Sequence, residues 1–182
     1  RVTVPDGFNR SVQYPVLFVP GFENDKHEYS IYLGDTPSKH GWIIVESIVH
    51  LKPDRLSEAL INKIRHDYPV EQLFISGFSA NSIDLFRLTA KYVEIVDGVV
   101  GMPGYANHID ESVLSRNPGL KILLIVGEKD YSWKSRSVKA SRTLRDMGAN
   151  VSLKTIPDEG HILKGIAGSP FFELLNQELL GH

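Results

Sequence analysis

Apolar residues along this chain fall into two alternating kinds of segment. Short runs rich in β-branched residues predict strands: "VTV" (2–4), "PVLFV" (15–19), "WIIVESI" (42–48), "QLFIS" (72–76), "EIVDGVV" (94–100), "KILLIV" (121–126) and "VSLKTI" (151–156). Several are apolar at consecutive positions, the pattern of interior parallel strands covered on both faces. Longer segments place apolar residues at helical spacing. Leu56, Ala59, Leu60 and Ile64 do so in "PDRLSEALINKIRHDY", and Val138, Leu144 and Met147 do so in "SRSVKASRTLRDMG", ahead of a Gly148 stop. "PFFELLNQELL" predicts a last helix starting at Pro170. Strands alternating with helices imply right-handed crossovers, hence an α/β fold with a mostly parallel sheet. The two earliest strands, joined by the turn-rich "PDGFNRSVQY", are candidates for an antiparallel edge pair.

Composition narrows the function classes. The 182 residues, 42% hydrophobic and 23% charged, predict one domain over residues 1–182. A net charge of −2 and a pI near 6.4 supply no basic face, so nucleic acid is not an expected partner. No apolar run is long enough to span a bilayer. The absence of cysteine removes disulfides, zinc-thiolate sites and thiol nucleophiles together. No G-x-G-x-x-G or G-x-x-x-x-G-K-[ST] follows a predicted strand, which weighs against a nucleotide-binding domain. Arg1 at the first position reads as a processed or excised chain.

In a parallel sheet, ligands collect beyond the carboxyl ends of the strands. The segments there are "PGFEND" (20–25), "GFSAN" (77–81), "GMPGYANH" (101–108), "GEKDYSW" (127–133) and "PDEGHIL" (157–163). They hold Ser79, Asp130 and His161, each after a different strand. Acyl transfer needs a hydroxyl nucleophile, an imidazole to take its proton and a carboxylate to orient the imidazole. Ser79 on a sharp strand-to-helix turn suits the first role, with the Ala80 N–H behind it directed at a developing oxyanion. The competing reading of "SGFSAN" is a helix-entry turn capped by Ser76 or Ser79. Glu128, Asp158 and Glu159 compete with Asp130 as the acid; His27, His50 and His108 compete with His161 as the base. His161 is favoured by its place after the last strand, where Gly160 is expected to permit a tight approach. Tyr105, Trp133 and Phe22 are expected to form an apolar wall for the substrate.

Together, "VTVPDGFNRSVQYPVLFVPGF", "LFISGFSANSIDLFRLTAKYVEIVDGVVGMPGYA", "LLIVGEKD" and "PDEGHIL" resemble the α/β-hydrolase superfamily. The resemblance is nearest to its compact serine esterases, the polyhydroxybutyrate depolymerase and feruloyl esterase-like group. It implies helices on both faces of the sheet, no large cap domain, and a triad in the order Ser79, Asp130, His161. It also implies an oxyanion hole made by the Ala80 and Phe22 N–H groups. Pro20 stands where the family often has histidine, and Asn81 where the elbow motif ends in glycine. The expected substrate is a small-molecule or polymer-derived carboxylic ester, with no cofactor and no metal, in a secreted or periplasmic setting. Two alternatives stay open: a serine peptidase or amidase, which the small chain disfavours, and a non-catalytic binding protein on the same fold, which Pro20 and Asn81 favour.

Overall fold

In the computed structural model, which describes residues 1–20, 30–47 and 51–181, each apolar run contains a strand, although in "EIVDGVV" the strand starts only at Gly98 and residues 94–95 lie in a turn. These are β1 (Val2–Thr3), β2 (Tyr14–Pro20), β3 (Ile43–Ser47), β4 (Val70–Gly77), β5 (Gly98–Gly101), β6 (Lys121–Gly127) and β7 (Asn150–Ile156). They make one seven-stranded sheet in the order β1-β3-β2-β4-β5-β6-β7. Every pair from β3 to β7 across that order is parallel. The expected edge pairing is half right: β1 is an antiparallel edge strand, but its partner is β3 and not β2. Both sides of β2 are taken by parallel neighbours, β3 and β4, so its sequence neighbour must pair one strand further out.

The helices are α1 (Ser30–Leu33), α2 (Arg55–Asp67), α3 (Ala80–Lys91), α4 (His108–Leu114), α5 (Tyr131–Asp146) and α6 (Ser169–Leu175). Strand alternation sends Leu17, Ile44, Phe74, Val100 and Leu123 to one face, where they pack with Tyr32, Phe171 and Leu175 from α1 and α6. Val16, Phe18, Ile43 and Ile75 point to the other face, against α2 and α3. Val99, Ile122 and Leu124 continue that second face under α3, α4 and α5. The sheet is therefore covered on both sides, which accounts for the consecutive apolar residues in its strands. Between β5 and β6 the chain carries only the short α4. Among the described residues no helix is long and apolar enough to cross a membrane.

Two helical faces differ from expectation. The buried stripe of α2 is Ser57, Ile61 and Ile64, and Leu56 is 77% exposed. The helix start decides this: Asp54 accepts a hydrogen bond from the Ser57 N–H, fixing the first turn so that Leu56 faces outward. In α5 the buried stripe is Ser137, Ala140, Ser141 and Leu144, while Met147 is exposed. These small residues bring the helix close to the sheet, and the buried Ser137 hydroxyl donates to the Gly104 carbonyl at 2.8 Å. The last helix starts at Ser169 and closes in a π-helical turn, Asn176–Leu180, to which the Trp42 indole N–H donates through Asn176 Oδ1 at 2.8 Å.

Candidate active site

Because β4, β6 and β7 are parallel neighbours or near neighbours, the turns that follow them lie at one end of the sheet. The turn after β4 is sharp. Ser79 has φ 55° and ψ −134°, a conformation that non-glycine residues rarely adopt and that needs surrounding structure to hold it. Its N–H donates to the Pro103 carbonyl at 3.0 Å, and its carbonyl accepts from the Ser82 N–H at 3.0 Å and the Ser82 hydroxyl at 2.6 Å. The turn also depends on a glycine: a Cβ on Gly77 would lie 2.7 Å from the Ser82 Cα. Neither candidate capping serine caps α3. Ser79 stands at the N-cap position without a side-chain cap bond, and the Ser76 hydroxyl donates to the Phe18 carbonyl at 2.9 Å. The Ser79 side chain is therefore free of the local backbone.

The carboxylate comes from the turn after β6. Asp130 is the N-cap of α5; one of its oxygens accepts from the Trp133 N–H, and its side chain is 10% exposed. The positive end of the α5 dipole favours its negative charge. The imidazole comes from the loop after β7, tied to the β6 turn by backbone hydrogen bonds from Glu128 N–H to Ile156 O (2.9 Å) and Lys129 N–H to Glu159 O (2.8 Å). Gly127 makes this contact possible, since a Cβ there would lie 2.1 Å from the Gly160 carbonyl oxygen. The expected role of Gly160 is thereby corrected: a Cβ on Gly160 would meet nothing within 4 Å, because the close approach is to its carbonyl and not to its Cα. Beyond His161, the buried Leu163 anchors the loop, its N–H donating to the Tyr32 hydroxyl at 3.3 Å.

These turns bring three side chains into one line. His161 Nδ1 lies 2.6 Å from Asp130 Oδ2, and His161 Nε2 lies 2.9 Å from Ser79 Oγ. An ionised carboxylate only accepts, so Nδ1 carries the proton and donates to Asp130, which leaves the Nε2 lone pair to accept the Ser79 O–H. The competing groups are engaged elsewhere. Glu128 accepts from the Asp158 N–H at 3.2 Å, Asp158 pairs with Lys129 at 3.0 Å, and Glu159 accepts from the Gly165 N–H at 2.9 Å. His108 is exposed, with Glu111 3.6 Å away.

A mostly parallel sheet with the order β1-β3-β2-β4-β5-β6-β7, helices on both faces and a serine on the strained turn after β4 decides the architecture. The fold is that of the α/β-hydrolases. No protein-family model matches the chain, and no curated protein matches it. Solved structures with this α/β-hydrolase fold do. A thermostable esterase superposes with a TM-score of 0.60 at 13% identity over 98% of this chain and 55% of its own length. A predicted CIB-like hydrolase from Thermoplasma acidophilum gives 0.64 at 18% identity over 96% and 90%. Est1E from Butyrivibrio proteoclasticus, in a structure with ferulic acid bound, gives 0.66 at 12% identity over 99% and 94%. The chain thus spans about half of the first of these proteins and nearly all of the other two.

Around Ser79, the Ala80 N–H belongs to the first residue of α3 and so has no acceptor within the helix. Phe22, with His27 and His50, lies outside the described residues. Tyr105 and Trp133 are neighbours, with ring centroids 5.5 Å apart, and the Trp133 ring lies 5.6 Å from that of His161. The sequence reading passed over Phe78, whose ring meets His161 in an edge contact at 5.2 Å, and Arg136, which lies over both Tyr105 and Trp133. Phe78 was legible in principle, as the residue next to a candidate nucleophile. Arg136 was not, because only α5 carries it to Tyr105. Among the described residues no group of His, Asp or Glu side chains is placed to hold a metal ion.

Proposed function

We propose that this chain is a serine esterase that cleaves a carboxylic ester through an acyl-enzyme. The observation that carries this reading is the hydrogen-bonded line from Ser79 Oγ through His161 to Asp130 at the carboxyl end of the sheet. The ester and hydrolase names of the structural neighbours support the choice of reaction class.

In the proposed cycle, Ser79 Oγ bonds to the ester carbonyl carbon as its proton passes to His161 Nε2. The carbonyl oxygen becomes an oxyanion that accepts from the Ala80 N–H, with the Phe22 N–H as the second donor, and the N-terminus of α3 favours that charge. Collapse breaks the bond to the alcohol oxygen, which leaves with the proton from Nε2. Water then attacks the acyl-Ser79 carbonyl, gives its proton to Nε2, and releases the acid as Oγ recovers its hydrogen. Asp130 remains a carboxylate throughout and stabilises the imidazolium. Tyr105 and Trp133 form the apolar wall beside the reacting carbonyl.

Labelling with a fluorophosphonate probe tests the reading, because only an activated serine reacts. The wild-type chain should be labelled at Ser79 and should hydrolyse p-nitrophenyl butyrate. Ser79→Ala should lose both, with turnover falling on the order of a millionfold, as when other triads lose their nucleophile. Unlabelled wild-type protein, or undiminished hydrolysis by Ser79→Ala, would overturn it.

A further inference from the structure

A cleft of about 510 Å³ lies between the start of α4 and the outer part of α5, lined by Tyr105, Asn107, His108, Glu111, Arg136 and Lys139. Two of its lining residues, Tyr105 and Arg136, pack on Trp133, whose ring in turn lies 5.6 Å from that of His161. The Arg136 guanidinium lies 5.7 Å from the Tyr105 ring centre and 5.9 Å from that of Trp133, and Nη1 donates to the Tyr105 hydroxyl at 3.3 Å. Two aromatic faces and one hydrogen bond hold the planar fork in place and leave its other N–H groups open. Among the described residues, Arg1, Arg65 and Arg87 are each paired with a carboxylate, whereas no carboxylate lies within ion-pairing distance of Arg136 or Lys139. Glu111, the one acid lining the cleft, has His108 as its neighbour at 3.6 Å. Two permanent cations against one carboxylate leave the cleft positive on a chain whose net charge is −2.

Resting on the esterase reading above, we infer that Arg136 and Lys139 form a carboxylate-binding subsite, so that the preferred ester carries a second, ionised carboxylate. A fixed guanidinium binds a carboxylate through paired, charge-assisted hydrogen bonds, which are stronger than neutral ones. The carboxylate could belong to the acyl chain or to the alcohol, and the two are separable by substrate.

The test compares the p-nitrophenyl half-ester of adipic acid with p-nitrophenyl hexanoate for the acyl side, and para-acetoxybenzoate with phenyl acetate for the alcohol side. The wild-type chain should favour the charged member of one pair by about tenfold or more in kcat/KM. Arg136→Gln should reduce that ratio by about ten- to hundredfold, and added salt should narrow it. Arg136→Lys should recover part of it. A ratio identical in wild type and Arg136→Gln for both pairs overturns the subsite while leaving the esterase reading intact. Calorimetry of adipate binding to Ser79→Ala is independent of turnover. If neither pair is hydrolysed, Arg136-dependent adipate binding keeps the subsite and removes the esterase, and absence of binding overturns the subsite too.

Discussion

The two sides of the hydrogen-bonded line from Ser79 through His161 to Asp130 are built differently. Ser79 is held by its backbone: a φ of 55°, three hydrogen bonds to its own N–H and carbonyl, and the close approach of Gly77 to Ser82. Once that turn forms, the position of Oγ follows from covalent geometry. His161 is held by contacts from elsewhere in the chain, with Asp130 on one ring nitrogen, Phe78 and Trp133 against the ring, and the β6 turn packed behind its loop. Its side chain is 38% exposed, so orientation depends on those partners and not on burial. The serine side should thus be sensitive to what happens in the local turn, and the histidine side to substitutions thirty residues away in sequence.

The largest effect of that kind is expected at Asp130. Asp130→Asn presents an amide that favours the wrong imidazole tautomer, and turnover of p-nitrophenyl butyrate should fall on the order of 10⁴-fold. Melting temperature should hardly move, because asparagine caps a helix as well as aspartate does. A larger loss from Asp158→Asn or Glu128→Gln would place the acid elsewhere. Next comes Gly127→Ala, whose Cβ would lie 2.1 Å from the Gly160 oxygen and must push the histidine loop outward. A displacement near 1 Å costs about a hundredfold in rate, so kcat should drop by about that much while the circular dichroism spectrum stays native. Gly160→Ala adds a Cβ with no atom within 4 Å, and the same assay should show no change.

A smaller effect separates a purely structural cap from one that also orients the imidazole. Asp54 caps α2 as Asp130 caps α5, but among the described residues no histidine is bonded to it. Asp54→Ala should cost about 1 kcal/mol in urea unfolding at neutral pH and leave turnover intact. The hydrogen bond from the Ser57 N–H lowers the Asp54 pKa. The cap's contribution is therefore complete above the ordinary aspartate value, about 4, and is lost as pH falls through the lowered folded-state value. The stability gap between wild type and Asp54→Ala should narrow in acid over that interval.

The smallest effect is expected at Asn81, inside the serine turn. Its Oδ1 is buried without a hydrogen-bond partner among the described residues. The cost of that orphan acceptor, about 1–3 kcal/mol, offsets the helix-propensity penalty of glycine, about 1 kcal/mol. Asn81→Gly should accordingly unfold within about 1 kcal/mol of wild type and keep its esterase rate. A tenfold loss of rate would mean that the Asn81 side chain takes part in the site.

By itself the sequence determined the strands, their alternation with helices, and the three chemical groups at strand ends, because hydrophobic period and turn composition are properties of neighbouring residues. It also placed Ser79 on a strand-to-helix turn, which lies within a few residues of its strand and its helix. Only the tertiary structure decided the rest. The partner of β1 depended on which edges of β2 were already occupied. The buried stripe of α2 depended on its cap, and that of α5 on how near the sheet its small residues allow it to come. Which of Asp130, Glu128, Asp158 and Glu159 meets the His161 ring depended on contacts between the turns after β6 and β7. His161 meets Asp130 across 31 positions and Ser79 across 82. No local pattern encodes such meetings, since they arise only when parallel pairing sets the ends of β4, β6 and β7 side by side.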